Sequence, residues 1–246
     1  MFSRRRIIQT VDKIVNLLLI LCFLPILCYG IYVLWDSQQI NQQADASLYK
    51  TYRPTTEENL SFVELQKRNP EVFGWLTVKD THIDYPLVQT ENNSKYVNTD
   101  VLGEFSLSGS IFLDCRNQKN FSDYNHILYG HHMEKEAMFG ELEYYEQPSY
   151  FEKHLHGSLY YENTWHKVEF FAFLHADAYD TMLYNTSLQR EEMKTYLDYI
   201  KKHAINYKEL PFGMEERFVT LSTCTSASTN GRHLLIGRIS KDMQKK

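Results

Sequence analysis

Two hydrophobic patterns divide the chain. Between Ile14 and Trp35 the side chains are almost all apolar. From Phe73 onward the apolar residues fall into short runs separated by turn chemistry. The stretch "VFGWLTVKDTHIDYPLV" has β-branched and aromatic runs split by Lys79-Asp80, which predicts strand, turn, strand. "GSIFLDCRN" predicts another strand, and "HILYGHHM" a third, interrupted by Gly130. "GSLYYEN", "TWHKVEFFAFLHAD", "RFVTLSTCT" and "RHLLIGRIS" continue the series. Many short strands at fairly even spacing predict a mainly β domain, a barrel or a sandwich.

Helical spacing interrupts this pattern. In "NLSFVELQKRNP", Leu60, Val63 and Leu65 fall near one helical face, and Pro70 ends the run. In "TSLQREEMKTYLDYIKKHA", Met193, Tyr196, Leu197, Ile200 and Ala204 follow the same period, and Thr186 with Gln189 reads as a capping box. An amphipathic helix over about 187–204 is therefore expected just before the strand that ends at Cys224.

The run from Ile14 to Trp35 would span roughly 30 Å as a helix, the thickness of a bilayer core. Arg4, Arg5 and Arg6 flank it upstream and Asp36 downstream. Positive charge stays on the cytoplasmic side, so residues 1–13 are expected inside and the bulk of the chain outside, in a single-pass cell-membrane protein. Tyr32 and Trp35 suit the far interface. The run is longer than the apolar region of a cleaved signal peptide, and Ala44-Asp45-Ala46 is badly placed as a cleavage site. The expected organisation is a cytoplasmic N-terminus (1–13), an anchor (14–35), a helical and linker segment (36–58) and an extracellular domain (59–246). Within the segment, Ser37 to Lys50 is expected to be helical and Arg53 to Asn59 a linker.

Composition narrows the class. The chain has 246 residues, 43% of them apolar, and a net charge of −5, so a folded domain is expected and nucleic acid is not an expected partner. Of four cysteines, Cys22 and Cys28 lie in the anchor, which leaves Cys115 and Cys224 outside. They would pair as an extracellular disulfide, or Cys224 is a free nucleophile with Cys115 buried in its strand.

In the second case Cys224 needs a base, because a thiol is mostly protonated at neutral pH. Of ten histidines, His154, His156, His166 and His203 sit in polar or mixed contexts and read as surface residues. His175 reads as partly buried, and His82 lies beside a turn. His131 and His132 differ, because a strand delivers them past Gly130. A zinc site of His131, His132 and Cys224 is disfavoured: "HHMEKE" lacks metal-ligand spacing, and adjacent residues of an extended segment point to opposite sides. No metal or cofactor is expected. Arg232 and Arg238 share a strand face, and either could supply a cation. Arg232 is nearer the strand start, across a hairpin-like loop from Cys224, and could stabilise a developing oxyanion.

These residues resemble a known family. "TLSTC" at 220–224 followed by an arginine at the head of the next strand resembles the signature of sortases. "YGHHM" at 129–133 with "MFGEL" at 138–142 resembles the histidine segment of class B sortases, and the inserted helix is similar to the one that marks that class. The resemblance runs from about Asn59 to Ser240. It implies a closed eight-stranded β-barrel with N-terminal helices. It also implies a cysteine transpeptidase that cuts a C-terminal sorting motif of secreted proteins, usually between threonine and glycine. The acyl group would pass to an amine of lipid-linked peptidoglycan precursor or to a pilin lysine. By position, the catalytic residues would be His131, Cys224 and Arg232, and the substrate-binding residues Tyr129, Ser222 and Asn93. The sequence "TSAS" after the cysteine departs from the aromatic or acidic residue common in the class, which bears on the motif read. Two other classes remain: a papain-like hydrolase and a non-catalytic extracellular binding barrel.

Overall fold

The computed structural model describes residues 2–55, 59–213, 215–225 and 229–243. Part of the expected linker (56–58) and of the loop after Cys224 (226–228) lies outside the described residues. The chain forms two compact units, residues 1–42 and 43–246.

The first unit is a helix, α1 (Phe2–Gln43). Its apolar run is exposed on all sides, and it is long and apolar enough to cross a membrane once. Pro25 lies inside it, a position that membrane helices tolerate. The helix stops seven residues short of Lys50. Asp45 then caps a 3₁₀ turn over Ala46–Tyr52 by accepting the Ser47 N–H at 2.8 Å. Ala44 and Tyr49 are buried in the second unit.

The second unit contains α2 (Leu60–Arg68), α3 (Pro148–Lys153), α4 (Met193–His203) and nine strands. The strands are β1 (Val72–Val78), β2 (Asp84–Val88), β3 (Ile111–Leu113), β4 (Asn125–Tyr129) and β5 (His156–Tyr161). They continue with β6 (Thr164–Asp177), β7 (Asn206–Tyr207), β8 (Arg217–Cys224) and β9 (Gly231–Met243). The hydrogen-bonded order is β5-β1-β2-β3-β4-β8-β9-β6, and β5 also pairs with β6, so eight strands close into a barrel. The two-residue β7 extends the same edge of β6 beyond β5. Pairing is mixed: β2–β3 and β4–β8 are parallel and the rest antiparallel.

The alternation along β6, β8 and β9 shows why these strands read as nearly continuous apolar runs. Phe170, Phe173, Val219, Leu221 and Leu235 belong to the main core. Phe171, Leu174, Phe218, Leu234 and Ile236 belong to a second core, under α4. Both faces are covered, so both parities are apolar. From α4, Met193, Tyr196 and Ile200 close that second core, and Met193 and Ile200 each contribute about 1.5–3 kcal/mol by burial.

The helices correct three expectations. In α2 the buried face is Phe62 and Leu65, while Leu60 and Val63 are exposed. The helical turn before α4 starts at Arg190, and the capping box is Gln189 with Glu192 rather than Thr186 with Gln189. Thr186 is buried instead. Cys115 follows β3 in a turn and is partly exposed, so it is not a buried strand residue. It and Cys224 are both free thiols, not a disulfide.

One buried charge fixes the end of β4. The Asp114 carboxylate is fully buried, accepts the Tyr129 hydroxyl at 2.9 Å, and pairs with Arg116 at 2.8 Å. Burial pushes its carboxyl up, but the hydrogen bonds from Arg116 and Tyr129 outweigh this and hold it below the usual carboxylate range.

Three histidines, His154, His166 and His175, depart from expectation, and two others, His126 and His233, are buried. His126 is fully buried and donates Nδ1–H to the Phe218 carbonyl at 3.0 Å. Burial pushes it down to about 4, so the 3.8 Å approach of Asp123 is not an ion pair at neutral pH. His166 stacks on Tyr161 at 3.9 Å and His154 on Tyr150 at 3.8 Å, so neither is simply a solvated surface group. His175 is exposed but stacks at 4.8 Å on His233, which is buried. Burial, then His175 and His132, push His233 down to about 4.

An unfolded histidine titrates near 6.5. Between that pH and about 4 the unfolded chain binds more protons than the folded one at His126 and His233, so stability falls as pH is lowered through this window. The urea midpoint of the full chain in detergent should begin to drop near pH 6, and His233→Gln should flatten part of the slope; a flat profile down to pH 4.5 contradicts this. Separately, Asp114→Ala leaves the Tyr129 hydroxyl and Arg116 without their acceptor, and should lower unfolding stability by about 1–3 kcal/mol in the same urea assay. An unchanged midpoint would show that the network is not holding β4.

Candidate active site

Three adjacent strands set the site. β4 and β8 run parallel with Tyr129 opposite Ser222, so both chains leave the barrel at the same rim. His131 lies two residues beyond Tyr129, and Cys224 two residues beyond Ser222. Pairing persists past the strand end, because the Gly130 N–H donates to the Ser222 carbonyl at 3.1 Å. β9 is antiparallel to β8 and places Arg232 opposite Cys224. The hairpin closes one step further, with the Thr225 N–H donating to the Gly231 carbonyl at 3.0 Å.

Gly130 is needed at the exit of β4. A Cβ there would collide with the Ile111 side chain and sit 2.7 Å from the Phe139 ring. A second glycine shapes the opposite wall. Gly109 has φ +59°, and a Cβ on it would lie 2.5 Å from the carbonyl oxygens of both Tyr96 and Val97. The Val97 carbonyl accepts a hydrogen bond from His131 Nε2 at 2.8 Å. A carbonyl only accepts, so this nitrogen carries the proton, and a neutral His131 keeps its lone pair on Nδ1.

All six residues singled out from the sequence line one cleft of about 400 Å³: Asn93, Tyr129, His131, Ser222, Cys224 and Arg232. Cys224 is exposed, and His131 and Arg232 are partly so. Arg232 donates from Nη1 to the Gly231 carbonyl at 2.8 Å and more weakly to that of Thr229 at 3.3 Å. Its Nε and Nη2 hydrogens have no partner among the described residues. Asn93 is held through Oδ1, which accepts the Cys115 N–H at 2.8 Å. Arg238 is not part of the cleft. It pairs with Glu169 and donates to the Pro211 carbonyl, about 20 Å along β9 from Arg232.

Tyr184 was not foreseen. It lines the cleft from the segment between β6 and α4. Its hydroxyl is 2.8 Å from Ser222 Oγ, and its ring lies nearly parallel to that of Tyr129, 6.3 Å between centroids. Burial pushes its phenol up to about 12, so it stays a neutral donor at physiological pH. The segment around it, "AYDTMLYNTS", has no periodicity, so no sequence signal marked this tyrosine. His132 turns away from the cleft, toward Glu143 at 3.6 Å and the His233 ring at 6.4 Å.

The arrangement offers a solvent-reachable thiol, an imidazole and a guanidinium with free donors, walled by Phe112, Tyr129 and Tyr184. That set suits acyl transfer through a covalent intermediate. No protein-family model matches the chain. The chain is 32% identical over 179 residues to sortase B of Listeria monocytogenes, covering 72% of each protein. Among solved structures it is similar to Spy0129, a Streptococcus pyogenes class B sortase involved in pilus biogenesis. That likeness is 43% identity at a TM-score of 0.68, covering 73% of this chain and 97% of that one. It is also similar to sortase B from the type II pilus of Streptococcus pneumoniae, with 37% identity, a TM-score of 0.64, and coverage of 73% and 98%. With the barrel, the inserted helix and these likenesses together, the chain belongs to the class B sortases, a family of transpeptidases.

Proposed function

We propose that this protein is a membrane-anchored transpeptidase that acts through a thioester on Cys224. The observation that carries the reading is the cleft itself, which gathers a thiol, an imidazole and a guanidinium from the ends of β8, β4 and β9. His131 Nδ1 takes the thiol proton, and Cys224 Sγ attacks the threonine carbonyl carbon of a Thr-Gly bond in the sorting motif. The carbonyl oxygen becomes an oxyanion, stabilised by the free Arg232 donors. Collapse breaks the C–N bond, and the departing glycine amine takes the proton back from His131. In the second half an incoming amine loses its proton to the same nitrogen and attacks the thioester. Cys224 sulfur then leaves and is reprotonated. Asn93, Tyr129 and Ser222 are assigned to holding the motif.

Residues 1–13 are assigned to the cytoplasm and the barrel to the outer face, where secreted substrates and lipid-linked precursor meet. The pilus descriptions of the 43% and 37% identical structures favour a pilin lysine as acceptor over a peptidoglycan-precursor amine.

The test uses the full chain in detergent with a Thr-Gly peptide and a range of amines, read by mass spectrometry. The expected products are a thioester adduct on Cys224 and an amine-linked peptide whose share rises with amine concentration. Cys224→Ala should show neither, and Cys115→Ala should keep nearly full activity. Hydrolysed peptide alone at every amine concentration would favour a protease, and an adduct persisting in Cys224→Ala would refute the assignment. Arg232→Lys keeps the charge but loses the planar fork, so kcat should fall about 10²–10³-fold. A loss confined to KM would argue that Arg232 only binds.

A further inference from the structure

Away from the cleft, three potential ligand atoms converge on one point. His82 lies in the turn between β1 and β2, Glu136 in the segment following His131, and Glu141 in the 3₁₀ turn Gly140–Glu146. His82 Nδ1 is 2.5 Å from Glu141 Oε1 and 3.1 Å from Glu136 Oε2. One ligand atom from each residue lies within 4.8 Å of the other two. The Glu141 side chain is only 4% exposed, whereas those of His82 and Glu136 open to solvent. The other Glu141 oxygen, Oε2, accepts the His82 backbone N–H at 3.1 Å.

A hydrogen-bond account of this cluster is incomplete. A neutral imidazole with its lone pair on Nδ1 would face two carboxylates and be repelled by both. With a proton on Nδ1 it can serve one carboxylate well and the other only weakly. Among the described residues, Glu141 has no lysine or arginine partner; its one basic neighbour is the His82 ring, which it shares with Glu136 and which is itself open to solvent. A divalent cation would use all three lone pairs at once.

We propose that His82, Glu136 and Glu141 bind a divalent cation of the zinc class. One imidazole nitrogen with two carboxylate oxygens is a ligand set for zinc and similar borderline metals, and it has too few oxygens for calcium. Tetrahedral zinc with bonds of about 2.0–2.1 Å separates neighbouring ligand atoms by about 3.3 Å, so Nδ1 and Oε1 need part by less than about 1 Å. The fourth position faces solvent on the exposed side of His82 and would hold water.

Such an ion would fasten the β1–β2 turn to the chain that leaves the active site. The segment 131–140 is already folded back on itself, with the Phe139 N–H donating to the His131 carbonyl at 3.0 Å and His132 bridging Met138. Glu136 is at its tip and Glu141 at its foot, so the cation would hold both ends.

The proposal is tested by isothermal titration of chelator-stripped full chain in detergent with zinc, in a Cys224→Ala background so that the reactive thiol does not compete. One saturable site per chain is expected, weakened at least tenfold by His82→Ala, with zinc raising the thermal midpoint of the parent but not of that variant. Glu141→Gln should act likewise; because Glu141 is buried, His82→Ala at an exposed position keeps the test sound if Glu141→Gln does not fold. Absence of saturable uptake, or uptake unchanged by His82→Ala, overturns the proposal.

Discussion

The parallel pairing of β4 with β8 is the constraint on which the candidate site depends. In an antiparallel pair, the C-terminal ends of two adjacent strands lie at opposite rims. Here Tyr129 faces Ser222 with both strands running the same way, so the residues just beyond them emerge together. The antiparallel partner β9 then starts where β8 stops and brings Arg232 to the same rim. Slipping β8 by one residue would exchange its two faces, sending Val219 and Leu221 out of the main core and Phe218 into it. Both faces of β8 are packed, so the register that holds the core also holds the cleft.

Around this pairing the structure is stiff where chemistry needs it. The Asp114 carboxylate anchors the Tyr129 hydroxyl from below, and the Val97 carbonyl orients the His131 ring from the side. Tyr184 joins Ser222 to the second wall. Each contact fixes a side chain that lines the cleft without using the atoms that would react. Cys224 itself is exposed at a strand end, so a peptide can reach it without a large opening.

The strands were legible because barrel residues are buried on one face or both, and that leaves period-2 or continuous apolar runs between turn residues. "TWHKVEFFAFLHAD" marks β6 to the residue for this reason. The helices were less legible. Leu60 and Val63 look like core residues by type, but α2 rests on the barrel through Phe62 and Leu65, which only the packing partner decides. Thr186 looked like a cap because Gln189 follows it at capping-box spacing, yet it is buried, and the helical turn begins at Arg190. That His131, Cys224 and Arg232 share one rim could be anticipated because each adjoins a strand end with turn chemistry beside it. Tyr184 and the His82–Glu141 contact could not, since both depend on segments brought together from distant parts of the chain.

In the proposed reaction, one cleft makes His131 and Arg232 act on the same reacting carbonyl. A double-mutant cycle separates joint from independent action: kcat/KM for release from a Thr-Gly peptide in the parent, His131→Ala, Arg232→Ala and the double variant. Groups that work as a unit are not additive, so the double variant should lose little more than the worse single one. Losses that simply multiply would mean that the two side chains act independently, and would rule out a shared reacting carbonyl.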